Sequence, residues 1–134
     1  MAKNSVQIYL TIRDGVAAVD WYQKTWGATQ EMLQMADDEK RVLHATLAIF
    51  GGHVMLSDEF PEFESYVTAP PSKDGTTVTI HINLPDRDAV NKAFADAKAG
   101  GAKITMPAAK MPWGAYYGRL VDPFGHSWSF AAEH

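Results

Sequence analysis

The sequence predicts an α+β protein built from two tandem βαβββ modules, and three observations carry that prediction. Short runs of alternating, β-branched and aromatic residues recur between Gly, Pro and Asp punctuation, which is the mark of strands. Two stretches with helical spacing each open on an aspartate, Asp14 and Asp86. The pattern then repeats: sliding the chain by 72 residues lays Asp14 on Asp86, Ala17 on Ala89 and Tyr22 on Phe94. A shift of 74 aligns Gly27-Ala28 with Gly101-Ala102, and a shift of 73 aligns Gly52-His53 with Gly125-His126. A unit this long, present twice, predicts two modules rather than a stacked array.

In chain order, Val6 to Ile12 reads as a strand, and a helix follows from Asp14-Gly15 to about Thr25 with Val16, Val19, Trp21, Tyr22 and Trp26 as its apolar positions. Gly27 ends it. Strands are expected over Thr29 to Met35, Val42 to Phe50 and, after the Gly51-Gly52 turn, His53 to Ser57. The stretch from Asp58 to Gly75 has three prolines and no steady period, so it is expected to be a surface loop and hinge. The second module is expected as a strand over Val78 to Leu84, a helix from Arg87 to Ala99 capped by Asp86, and a strand over Lys103 to Met106. Tyr116 to Val121 and His126 to Phe130 close it as a hairpin. In the turn between them, Pro123 holds Asp122 out of the helical region and Gly125 can supply a positive φ. The reading is one domain over residues 1–134, with module one at about 5–58, a linker at about 59–75 and module two at about 76–131.

Composition narrows the function. A length of 134 residues suffices for one domain with a core. The net charge is −4 and the 12 Lys and Arg residues are scattered, which argues against a nucleic-acid partner. No apolar run is long enough to span a membrane and no leader pattern opens the chain, so a cytoplasmic protein with no membrane partner is expected. With no cysteine there is neither a thiolate nucleophile nor a zinc–thiolate site. No GxSxG motif or glycine-rich phosphate loop is present, which disfavours hydrolase and nucleotide chemistry.

Three stretches, WYQKTWGA after the first helix, LHATLAIFGGHVMLSDE in mid-chain and PWGAYYGRLVDPFGHSW near the end, carry a family resemblance over nearly the whole length. The chain resembles the vicinal oxygen chelate superfamily, also called glyoxalase/bleomycin resistance/dioxygenase, and within it the PhnB-like branch. The resemblance implies that each module's strands curl into half of a mixed-sheet cup, usually completed in a homodimer, with a small organic molecule bound inside.

In metal-using members the ligands come from the first and last strands of each module, as His, Gln or Glu. Carried over by distance from the helix caps and turn glycines, those positions fall on Gln7, Thr79, Leu56 and Ser129. One amide, two hydroxyls and a leucine do not offer a divalent cation the donors and charge it needs, so no metal ligand and no cofactor are assigned. The four positions are kept as ligand-binding candidates.

Strand alternation puts His81 on the face of Thr79, and Tyr9 on that of Gln7, making these two the catalytic candidates. His81 would serve as an acid–base or ligand-contacting group, or as a wall histidine bonded to a neighbour. Trp113 and Tyr116, with Tyr117, flank a Pro-Trp-Gly turn where an aromatic wall could stand. His44 lies in an otherwise apolar strand and is either a ligand contact or a satisfied core or interface histidine. Trp21, Tyr22 and Trp26 are expected to pack helix on sheet, and Asp122 to cap its turn. Three functions follow: a metal-independent binding protein of the sequestration or resistance type, a divalent-metal-dependent lyase, isomerase or dioxygenase with an altered site, and a cofactor-free enzyme using His81.

Overall fold

A computed structural model describes residues 4–63, 67–71 and 76–133. The chain divides into two compact units, Met1–Ala69 and Pro70–His134. In the first, β1 (Ile8–Ile12), α1 (Gly15–Trp26), β2 (Thr29–Met35), β3 (Val42–Ile49) and β4 (Gly52–Asp58) follow one another. In the second, β5 (Thr79–Asn83), α2 (Arg87–Ala99), β6 (Lys103–Lys110), β7 (Tyr116–Val121) and β8 (Ser127–Ala132) repeat the pattern. The sheets have equivalent orders, β1-β4-β3-β2 and β5-β8-β7-β6. In each, the first strand runs parallel to the last and the remaining pairs are antiparallel. This is the α+β, twice-βαβββ architecture the sequence predicts. Neither helix is long and apolar enough to cross a membrane.

Alternation decides what each strand buries. Leu10 and Ile12 of β1, Ala45, Leu47 and Ile49 of β3, and Val54 and Leu56 of β4 are buried, together with Ala18, Val19 and Tyr22 of α1. In the second unit Trp128 and Phe130 are fully buried, and Phe94 of α2 meets Phe130 edge-on at 5.7 Å. Large side chains removed from water to this degree contribute about 1.5–3 kcal/mol each. The opposite faces carry Tyr9, Thr11, His44, Thr46 and Ser57 in one unit and Thr79, His81, Asn83, Tyr117 and Arg119 in the other.

Two buried aspartates lock these layers. Asp14 and Asp86 cap their helices as expected, accepting from the N–H groups of Ala17 and Ala89. Asp58 does more: its carboxylate accepts from Gly15 N at 3.0 Å and Val42 N at 2.6 Å, tying the end of β4 to the starts of α1 and β3. Gly15 leaves room for it, since a Cβ there would fall 2.5 Å from Asp58 Oδ2. Asp122 accepts from Phe124 N, His126 N and Trp128 Nε1, so it holds its turn and seats the buried indole.

Three expectations need correction. Asp58 belongs to β4, and Phe60 and Ala69 are buried, so the stretch after it is not wholly a surface loop; residues 64–66 and 72–75 lie outside the described residues. Strand β6 runs on to Lys110 through Pro107, which an edge strand tolerates where the ladder shifts register between Met106 and Ala109. The third correction concerns the closing hairpins. Phe50 and Gly51 form a two-residue turn with φ of 49° and 76°, whereas five residues, 122–126, join β7 to β8. Ile8 pairs with Val54 and Ile80 with Trp128, so the last strands correspond at a shift of 74, from 54 to 128, and not 73.

Candidate functional site

That one-residue slip moves a predicted site residue off the open face. Leu56 was placed by the turn glycines, but it has 0% exposure and pairs with Leu10 and Ala45 in the core. Met55 and Ser57 flank it on the open side. Tyr116 also lies off the open face: its hydroxyl donates to Asn91 on α2 and Arg87 lies over its ring at 5.1 Å, so it faces the helix. Tyr117, one residue on, takes the open face.

The second unit gathers a compact polar and aromatic cluster on that face. Strand β5 delivers Thr79, His81 and Asn83 at alternate positions, and β8 brings Ser127 and Ser129 beside the first two. Thr79 and Ser127 share a 3.0 Å hydroxyl hydrogen bond. His81 Nε2 lies 3.0 Å from Asn83 Oδ1 and its Nδ1 lies 2.7 Å from Ser129 Oγ. A carbonyl oxygen can only accept, so Nε2 carries the proton, and the Ser129 hydroxyl donates to a bare Nδ1 in the neutral ring. The imidazole stacks on Tyr117 with centroids 6.0 Å apart and planes 20° apart. Trp113 meets the tyrosine edge-on at 6.2 Å. Arg119, from β7, donates its Nε–H to the Tyr117 hydroxyl at 2.6 Å.

Beside this cluster is a recess of 610 Å³, whose walls include His81, Asn83, Trp113, Tyr117 and Glu133. Its size suits a small organic ligand. Trp113 stands 70% exposed at its edge, an unusual cost for an indole that has no further partner among the described residues.

The first unit carries its own arrangement. The Tyr9 hydroxyl lies 3.1 Å from His44 Nδ1, and His44 Nε2 lies 3.0 Å from Thr46 Oγ1, a chain of three side chains across the open face. Gln7 precedes β1 and donates to Ser5 Oγ. A second recess of 420 Å³ is lined by Tyr9, Thr11, Ser57, Phe60 and Phe63, with the two phenylalanines stacked at 5.3 Å. The nearby acidic residues are engaged rather than free. Arg41 bonds both Asp38 and Glu62, and Glu59 pairs with Arg13. The backbone N–H groups of Arg41 and Lys40, with the Arg41 guanidinium, lower the Asp38 carboxyl to about 2. Hydrogen bonds from Arg41 likewise lower Glu62, and the bonds that Arg41 donates to Glu62 and Asp38 raise its own guanidinium.

The positions that the resemblance assigns to metal ligands do not fit a metal. Gln7 is bonded to Ser5, Thr79 to Ser127 and Ser129 to His81, and Met55, which corresponds to Ser129 once the register is corrected from Leu56, offers only a thioether. Among the described residues, no group of three or more His, Cys, Asp or Glu could hold an ion. Two residues that the sequence reading passed over, Asn83 and Arg119, belong to the cluster. Both were accessible by stepping two residues along a strand, from His81 and from Tyr117.

A model of the Glyoxalase/Bleomycin resistance protein/Dioxygenase superfamily matches residues 5–130. The uncharacterized protein Rv0887c of Mycobacterium tuberculosis is 36% identical over 122 residues, covering 90% of this chain and 69% of that protein. Among solved structures, TioX from Micromonospora sp. ML1 aligns with a TM-score of 0.70 and 26% identity over 96% of this chain and 95% of its own. A Bacillus cereus PhnB protein, described as a putative 3-demethylubiquinone-9 3-methyltransferase, aligns with a TM-score of 0.72 over 96% and 99% of the two chains; at 19% identity this likeness is one of fold.

Proposed function

The chain belongs to the glyoxalase/bleomycin resistance/dioxygenase superfamily, and from that premise we propose that it binds a small organic molecule in the recess of its second unit and sequesters it without a metal. The observation that carries this reading is the exposed indole of Trp113 beside the His81–Tyr117 stack, at the edge of a ligand-sized recess. An aromatic surface left open to water gains most from a planar, largely apolar partner. The donor set described above supports the metal-free form of the reading, and fold kinship alone names no substrate. A homodimer is part of the proposal: edge strand β2 exposes Met32 and Leu33, and edge strand β6 exposes Met106, apolar side chains a partner copy could cover.

The test is a panel of planar organic compounds read by thermal shift and by tryptophan fluorescence on the wild type and on Trp113→Ala. Compounds that raise the wild-type melting temperature are expected to lose that effect in the variant. Retention of every shift in Trp113→Ala would remove the recess from the explanation.

A second reading, acid–base chemistry at His81 with no cofactor, draws on the 2.7 Å bond to Ser129, which connects the imidazole to a hydroxyl able to pass a proton. Its signature is turnover that survives a chelator and vanishes in His81→Gln.

A further inference from the structure

We infer that the ligand of the second unit's recess is a planar anion, an aromatic or heteroaromatic carboxylate or a group of like charge, whose negative end is held by Arg119. The inference rests on the binding reading above and specifies its ligand class.

Three observations converge on it. The first is the state of Arg119. It is exposed on the open face of β7, and its Nε–H is committed to the Tyr117 hydroxyl, which fixes the guanidinium beside the ring at 5.6 Å from its centroid. Among the described residues no carboxylate pairs with it, whereas Arg41 and Arg13 are both bonded to acids. Its two Nη groups therefore keep a pair of parallel N–H donors, the geometry that binds a carboxylate in bidentate fashion.

The second observation is an excess of donors. Asn83 Oδ1 is taken by His81, so the Asn83 amide presents its N–H groups. The exposed Trp113 has an indole N–H and Arg119 its Nη–H groups. His81 adds no acceptor, because both ring nitrogens are bonded. An arrangement of this kind selects a ligand rich in acceptors.

The third is polarity along the strand. Arg119 pairs with Ser129 and Tyr117 with Ala131, while Glu133 follows the end of β8. Arg119 borders the recess through its bond to Tyr117 rather than lining it, and Glu133, the one carboxylate among the described lining residues, lies four residues along the chain from Ser129, the partner of Arg119, roughly 13 Å if extended. A ligand with its charge at the Arg119 end and its apolar ring against Tyr117 and Trp113 meets attraction and stays clear of Glu133.

The experiment uses 2-naphthoate and its uncharged counterpart 2-naphthamide as probes, with dissociation constants from calorimetry on the wild type, Arg119→Met, Arg119→Lys and Trp113→Ala. The naphthoate is expected to bind roughly tenfold more tightly than the amide, a difference erased in Arg119→Met and partly kept in Arg119→Lys. Trp113→Ala should weaken both probes alike. Arg119 is exposed, so a circular-dichroism spectrum and melting curve matching the wild type will confirm that its variants fold. Equal binding of the two probes, or an unchanged preference in Arg119→Met, overturns the anion inference and leaves the recess reading intact. Binding of neither probe, or binding of both that Trp113→Ala does not weaken, overturns the recess reading and the inference together.

Discussion

His81 stacks on Tyr117, and the first unit holds the same two residue types at the corresponding strand positions in exchanged order, Tyr9 on β1 and His44 on β3. The correspondence follows from register. Tyr9 pairs with Met55 as His81 pairs with Ser129, and His44 stands opposite Ser57 by extension of the β3–β4 ladder, as Tyr117 stands opposite Ala131. In the first unit the rings are tilted by 52° and joined by a hydrogen bond; in the second they stack, and the tyrosine hydroxyl bonds Arg119 instead.

The exchange predicts different imidazole chemistry in the two units. Nitrogen-15 spectra of the histidine rings should show His81 protonated at Nε2 and bare at Nδ1. Ser129→Ala should leave that tautomer in place, because Asn83 Oδ1 still requires the Nε2 proton. A ring protonated at Nδ1 in the wild type would contradict the arrangement.

Removing the buried Asp58 carboxylate should cost more than the loss of one hydrogen bond. Asp58→Ala orphans two buried N–H groups, of Gly15 and Val42, and is expected to destabilise the protein by about 2–4 kcal/mol in urea melts. Gly15→Ala should cost about 1–3 kcal/mol through the clash with Asp58 and Val42. A neutral result for both would mean that this junction is loose.

Stability should also respond to acid through Asp38. Its carboxyl titrates near 2 in the folded protein and at the ordinary 3.8 when unfolded, so the unfolded chain takes up the proton first. The contribution is present above about pH 4 and disappears as pH falls toward 2. Melting temperature measured across that window should drop more steeply in the wild type than in Asp38→Asn, and equal slopes would count against the assignment.

Metal should be dispensable. Protein dialysed against EDTA is expected to keep its melting temperature, and elemental mass spectrometry of untreated protein should find no stoichiometric Zn, Mn, Ni or Fe. Near-stoichiometric metal that disappears in His81→Ala would reverse the proposal in favour of an altered lyase or dioxygenase site.

The two faces of the sheet can be told apart by truncation. Leu56→Ala should cost about 2–5 kcal/mol, as expected of a fully buried leucine, while the exposed Thr79→Ala should stay within about 0.5 kcal/mol. Similar costs would show that Leu56 had been assigned to the wrong face.

Leu56 also marks the limit of what the chain reveals by inspection. Alternation, the Asp caps and the terminal glycines of α1 and α2 made both βαβββ units legible, because those signals are local. Counting from Gly52 and Gly125 failed, because a two-residue and a five-residue turn carry their glycines at different distances from the strands, and a slip of one turns every side chain over. Tyr116 and Tyr117 were offered together for the aromatic wall, and only their contacts show that Tyr117 takes the open face while Tyr116 turns to α2. Arg119 was hidden for another reason: an exposed arginine looks like ordinary surface until its neighbours reveal that no acid among the described residues answers it.

The parallel pairing of each first strand with its fourth has a consequence for synthesis on the ribosome. Strand β1 can close its sheet only against β4, and Asp58, which fastens both α1 and β3, is the last residue of that strand. A nascent chain halted before residue 58 lacks the full partner strand of β1 and is expected to be more open to aggregation than the finished unit. The same delay recurs when β5 awaits β8. Each sheet is thus complete only when its unit's final strand, β4 or β8, is in place.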